Sequence, residues 1–289
     1  MEYPMCTLIM GEGELNGTAS TMIHEVSHSW FQMVLASNES QYAWMDEGFT
    51  RFAEYETKAA LFGLERPFES TYATYMRYAL SGLEEPAAQF SDFFTRNQAY
   101  SITSYIKGCI MLNQLRYIIG EENFWPGIKK YYNTWKFHHP EPIDLIRVME
   151  KTSGMQLKWY LNYWIHTVKQ IDYAIEQVVG RDDNTFVTLK RMGELPMPID
   201  LLVTYTDGRK EMFYIPLSET LGSKPADDKS VSWNEQKAWA WVAPTYTLKI
   251  GRPANTIRSL EIDPSGRMAD VNRDDNLLNI SILEENVTR

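Results

Sequence analysis

Cysteine is nearly missing from this chain: only Cys6 and Cys109 occur among 289 residues. Two cysteines allow at most one bridge and have no metal-ligand spacing, so a disulfide framework and a zinc ribbon are both excluded. Basic residues are also in short supply. The 28 Lys and Arg against 38 Asp and Glu leave a net charge of −10, which argues against a nucleic-acid or membrane-surface binder, because either needs a basic face. No apolar run approaches the ~20 residues of a membrane span, and the N-terminus has neither a basic n-region nor an apolar h-region. Internal repeats are absent. What remains is an ordinary globular composition, 44% hydrophobic and 13% aromatic, long enough for roughly two domains with a proper core. The acidity is uneven: residues 1–100 hold fourteen Asp and Glu against five Lys and Arg.

The hydrophobic period changes once along the chain. Asn16-Gly17 reads as a break and Thr18 or Ser20 as a cap, after which Met22, Ile23, Val26, Trp30, Met33 and Val34 recur at helical spacing up to Leu35. A second helix is predicted over 43–61, closed by Gly63, with further helices at 67–80, 98–119, 124–135, 142–152 and 156–167. From Ile171 onward the pattern is β-like, in short stretches at Ile171–Val179, Thr185–Arg191, Ile199–Tyr205, Lys210–Leu217, Ala238–Val242, Tyr246–Ile250 and Ile257–Ile262. Asp207-Gly208 between two of these is a hairpin signal. The expected organisation is therefore α+β: a mostly helical domain over 1–168, a small β-sandwich over 169–275 and a tail over 276–289.

One pattern carries chemistry. His24-Glu25-Val26-Ser27-His28 places two imidazoles at i and i+4 on one helical face, where both reach a single cation and Glu25 reaches a water beside it. A catalytic zinc site needs a third protein ligand and an open position. Eighteen residues after His28 comes Asp46-Glu47-Gly48, and two antiparallel helices joined near Ala36–Gln41 would bring Glu47 opposite the histidines. Glu54, two turns beyond Glu47 on the same face, is placed to orient a ligand histidine. Glu39 reads as a solvated loop residue. Cys6 and Cys109 read as small buried side chains rather than ligands.

These residues, His-Glu-x-x-His followed by eighteen residues and Glu, resemble the M1 family of zinc aminopeptidases, the gluzincin group that includes aminopeptidase N and leukotriene A4 hydrolase. Three further stretches are similar to that family. Met1-Glu2-Tyr3-Pro4 resembles the end of its Gly-x-Met-Glu-Asn motif, with Tyr3 where Asn is commoner. Tyr105-Ile106-Lys107-Gly108 resembles its Tyr-x-Lys-Gly segment, and Phe137-His138-His139-Pro140 through Asp144 resembles a stretch that follows. The resemblance implies a thermolysin-like helical subdomain followed by a small β-sandwich, and one Zn2+ per chain held by His24, His28 and Glu47. It also implies Glu25 as general base, Tyr105 as the donor to the oxyanion, and Glu2 as the carboxylate that reads the free N-terminus of a peptide substrate.

Members of that family carry a large β-domain and the start of the catalytic domain before the Met-Glu motif. The resemblance therefore implies that this chain is a fragment of a longer enzyme, lacking part of its substrate-binding edge and less active than the parent. Three other readings stay open on the sequence: an endopeptidase of another gluzincin family, a non-catalytic adaptor that kept the fold, and a second activity on epoxides. Retention of His24, Glu25, His28 and Glu47 together weighs against the adaptor.

Overall fold

A computed structural model describes residues 1–9 and 14–280, in two units, Met1–Val168 and Lys169–Arg289. Most of the expected tail, from residue 281, lies outside the described residues.

The first unit opens with a two-stranded hairpin, β1 (Glu2–Tyr3) and β2 (Cys6–Thr7), with Glu2 opposite Thr7. Helix α1 (Leu15–His28) follows and continues as a π-helical turn over Ser29–Val34. A second π turn, Trp44–Gly48, leads into α2 (Phe49–Phe62), and α3 spans Glu69–Ala79. Helix α4 (Asn97–Ser101) passes through a third π turn, Ile102–Lys107, into α5 (Gly108–Ile119). Then come α6 (Glu121–Trp135), α7 (Pro142–Ser153) and α8 (Lys158–His166).

Local chemistry explains several of these limits. Helix α7 starts on a reciprocal capping box between Glu141 and Asp144 with Pro142 at the first position, and stops at Gly154 in the left-handed region, the arrangement that satisfies orphan amides at one end and carbonyls at the other. Gly63, also left-handed, closes α2 and donates to the Ala59 carbonyl. Helix α5 is buried at every position except Arg116, and its buried Asn113 and Gln114 donate to the Tyr72 and Tyr160 hydroxyls. One expectation fails here. Asn16-Gly17 lies inside α1, which starts one residue earlier at Leu15 without a side-chain cap; the cost of an exposed glycine, about 1 kcal/mol, is smaller than what packing the rest of the helix returns.

The second unit consists of two sheets. A three-stranded antiparallel sheet is built from β3 (Tyr173–Arg181), β4 (Asn184–Arg191) and β8 (Thr245–Ile250), in that order. A five-stranded sheet runs in the order β10 (Leu277–Asn279), β9 (Ile257–Ile262), β5 (Ile199–Tyr205), β6 (Lys210–Ile215), β7 (Ser232–Glu235). Alternate side chains face a core: Thr185, Val187 and Leu189 on β4, and Leu201, Val203 and Tyr205 on β5, are buried. The β5–β6 hairpin turns at Asp207-Gly208, where Gly208 has φ +86°. The chain is thus α+β.

Three differences from the sequence reading stand out. Ala238–Val242 is not a strand; it makes a single bridge at Trp239, whose ring packs on Tyr173 and Tyr246 instead. Strand β7 is a parallel edge strand with no buried face, so it leaves no alternating signal. Leu277–Asn279, assigned to the tail, pairs with β9; three residues are too few to show a period.

Candidate metal centre

The centre forms where α1 meets the start of α2. His24 and His28 stand one turn apart on α1 with ring centroids 5.0 Å apart. The π turn that starts the second helix brings in Glu47, whose Oε2 is 3.1 Å from His24 Nε2 and 3.3 Å from His28 Nε2. All three residues are buried, and their donor atoms lie within 4.8 Å of one another. The remaining ring nitrogens face outward to fixed partners. His24 Nδ1 is 3.4 Å from Glu54 Oε2, and His28 Nδ1 is 2.7 Å from Asp46 Oδ1 and 3.2 Å from the Thr50 hydroxyl. Glu54 is in turn contacted by Arg51 and Lys58 at 3.2 and 3.5 Å.

The electrostatics follow from burying this many charges together. Burial alone would lower the pKa of His28, but its contacts with Asp46 and Glu47 outweigh burial and carry the imidazole up to about 10; the same balance, with Glu47 and Glu54 as partners, raises His24. Against burial, hydrogen bonds from His24, His28 and Tyr105 hold Glu47 down at about 2. Asp46 goes the other way: burial pushes it up to about 6 despite His28. Two imidazoles and a carboxylate whose donor atoms converge this closely form a set suited to a cation.

Tyr105 lies on the third π turn and donates its hydroxyl to Glu47 Oε1 at 2.5 Å. Its ring lies nearly parallel to that of His24, 17° between planes. Burial, then the nearby Glu47 charge, raises its pKa, keeping it a hydrogen-bond donor. The two π turns that carry Glu47 and Tyr105 touch backbone to backbone: a Cβ on Gly48 would lie 2.6 Å from Gly108 Cα, and one on Gly108 would lie 2.9 Å from the Trp44 carbonyl oxygen. Only glycine permits that approach.

Glu25 and Glu2 line the same cavity as the histidines, a space of about 470 Å³ that Arg51, Tyr100 and Tyr105 also border. The Met1 α-ammonium donates to Glu25 Oε2 at 2.7 Å and lies 3.6 Å from Glu2 Oε2. The structure therefore brings together Glu2, His24, Glu25, His28, Glu47, Glu54 and Tyr105. Sequence reasoning missed Asp46 and Thr50, although Asp46 is the immediate neighbour of Glu47. Cys6 is exposed rather than buried, in a two-stranded hairpin too small to cover it, whereas Cys109 is buried in α5.

The family description "Peptidase family M1 domain" matches residues 10–164. Aminopeptidase N of Streptomyces lividans is 30% identical over 156 residues, which cover 52% of this chain and 18% of that protein. Tricorn protease-interacting factor F2 of Thermoplasma acidophilum is 26% identical over 219 residues, 72% of this chain and 28% of that protein. The crystal structure of Legionella pneumophila aminopeptidase A in complex with aspartic acid aligns with a TM-score of 0.57 over 89% of this chain and 27% of that one, at 15% identity, a likeness of fold. The chain thus spans less than a third of the length of these relatives. A family match over more than half of the residues, including the segment that holds the histidine pair and Glu47, places the chain in peptidase family M1.

Proposed function

We propose that this chain carries the active centre of a zinc aminopeptidase, which removes N-terminal residues from peptides with a free α-ammonium. The observation that carries the reading is the convergence of His24 Nε2, His28 Nε2 and a Glu47 oxygen, each histidine backed at its other nitrogen by a carboxylate. Two imidazoles and one carboxylate are the donor set of a catalytic zinc that keeps a position open, and the backing carboxylates fix which nitrogen each ring offers. Bound there, one Zn2+ per chain would polarise the scissile carbonyl and acidify a water molecule.

The chain's own groups supply the rest. Glu25, beside the first histidine, takes the proton from the attacking water and delivers it to the leaving amine. Tyr105, held protonated, donates a hydrogen bond to the developing oxyanion; loss of such a donor costs about 10²–10³ in rate in comparable sites. Glu2 receives the substrate's α-ammonium through a charge-assisted hydrogen bond. The names of the relatives, aminopeptidase N among them, agree with this substrate class.

The test is a panel of aminoacyl reporters and their N-blocked counterparts, assayed with and without a chelator. Cleavage of unblocked substrates alone, abolished by the chelator and restored by Zn2+, is expected. Equal cleavage of N-blocked peptides would replace this reading with a gluzincin endopeptidase.

A further inference from the structure

We propose that Lys107 is a positioning residue for Tyr105: its buried ammonium anchors the Ile102–Lys107 π turn from behind, so that the tyrosine hydroxyl meets Glu47. The inference rests on the reading of His24, His28 and Glu47 as a zinc site.

Lys107 ends the turn that carries Tyr105, and side chains two positions apart along a helical turn point to roughly opposite sides. Tyr105 faces the cavity, and Lys107 faces the core. There its Nζ donates to Glu84 Oε1 at 2.5 Å and to the Thr167 carbonyl at 3.0 Å. The Trp164 ring lies 5.2 Å beneath the ammonium, and the indole N–H of Trp164 donates to the Lys107 carbonyl at 3.1 Å. Tyr75 adds a hydrogen bond to Glu84 Oε1 at 3.2 Å. Side-chain exposure of Lys107 and Glu84 is 1% and 3%.

Stability alone does not explain such a pair, because replacing a buried ion pair with packed neutral side chains is often neutral or stabilising. Its directional bonds do something packing cannot. They tie one turn to the loop after α3 and to the end of α8, while Gly108, the next residue, is set against Gly48 and the Trp44 carbonyl. The turn is held from two sides, and what it presents between them is Tyr105. Since Tyr105 hydrogen-bonds the oxygen of Glu47 that does not face the histidines, a displaced turn loosens a metal ligand without touching it.

The experiment measures zinc affinity by chelator competition, a readout independent of turnover. Lys107→Met combined with Glu84→Gln removes both charges and leaves neither buried alone. Tyr105→Phe is expected to weaken zinc by about tenfold or more, the usual effect of removing a group that supports a ligand. The paired variant is expected to weaken it at least threefold, on the order of that same effect. All three substitutions together should match Tyr105→Phe within about twofold, because residues acting through one contact are not additive. Leu112→Ala in α5, which lowers Tm through the core alone, should leave affinity unchanged. The proposal is overturned by wild-type affinity in the paired variant, by full additivity with Tyr105→Phe, by an equal loss in Leu112→Ala, or by no effect of Tyr105→Phe. A wild-type protein that takes up no zinc instead overturns the metal reading, and this inference with it.

Discussion

Asp46 Oδ1 stands 2.7 Å from Nδ1 of His28, while Glu47, the next residue, faces the other nitrogen of the same ring. Two adjacent carboxylates thus grip opposite ends of one imidazole, Asp46 behind it and Glu47 on the side where the proposed zinc would sit. On the proposed zinc reading, Asp46 orients His28 without being a ligand itself.

Asp46→Asn should therefore lower zinc affinity by about 10–100-fold while the protein stays folded, since the change keeps shape and removes the charge that orients and enriches the ring. Chelator competition with far-UV circular dichroism measures both. Unchanged affinity would show that Thr50 alone suffices to orient His28.

Binding and chemistry should separate by substitution. His24→Ala and Glu47→Ala should each abolish the expected stoichiometry of one zinc per chain, read by metal analysis. Glu25→Gln should keep its zinc and lose about 10²–10⁴ in turnover, and Tyr105→Phe, assayed at saturating Zn2+ because it also weakens the metal, should lower kcat more than it raises KM. A Glu25→Gln protein with full zinc and normal turnover would remove Glu25 as the base.

The metal-free protein should be most stable with His28 charged. Its folded pKa, about 10, lies above the unfolded value of about 6.5, so this contribution is complete below about 6.5 and is lost as pH rises toward 10. Glu47, held at about 2, contributes above its unfolded value near 4.3 and loses that contribution as pH falls toward 2. Zinc must displace the His28 proton, so apparent zinc affinity should climb roughly tenfold per pH unit as pH rises toward about 10, and more steeply wherever His24, also raised, is still charged. Calorimetry in buffers of different ionisation enthalpy counts that proton. A flat affinity profile would mean that His28 is already neutral.

Glycine replacements should have opposite signs at two positions. Gly48→Ala puts a Cβ 2.6 Å from the Gly108 backbone, which cannot move aside, and should cost about 1–3 kcal/mol or more. Gly17, inside α1 with nothing within 4 Å of a new Cβ, should stabilise on replacement by Ala by about 0.5–1 kcal/mol. Thermal denaturation of both variants checks the pair. A neutral Gly48→Ala would mean that the two π turns can part.

Much of the helical unit was legible because its signals are long and periodic. The histidine pair needs only the 3.6-residue repeat to be seen, and Glu47 and Glu54 follow from two facing helices. Asp46 was not legible, since an aspartate beside Glu47 looks like any acid until the π turn rotates it toward His28. The positions of Tyr105 and Glu2 came through resemblance, because one among seventeen tyrosines has no period to mark it. Trp239 misled for a related reason: an aromatic, β-prone segment reads as a strand, but its ring is spent on Tyr173 and Tyr246 and its backbone pairs only once.

The π turns at Ser29–Val34, Trp44–Gly48 and Ile102–Lys107 each accommodate a backbone bond that skips five residues, as from the Leu35 amide to the Trp30 carbonyl. Deleting one residue from such a turn would restore ordinary α-helical bonding, so each helix could shorten there without losing its ladder. The phase would nevertheless change by about 100°. A deletion in Trp44–Gly48 would swing Glu47 off the line it shares with Thr50 and Glu54, and one in Ile102–Lys107 would turn Tyr105 away from the cavity. Among natural length variants of this domain, the turns at Trp44–Gly48 and Ile102–Lys107 should be the places where folding tolerates a missing residue and the candidate metal centre does not.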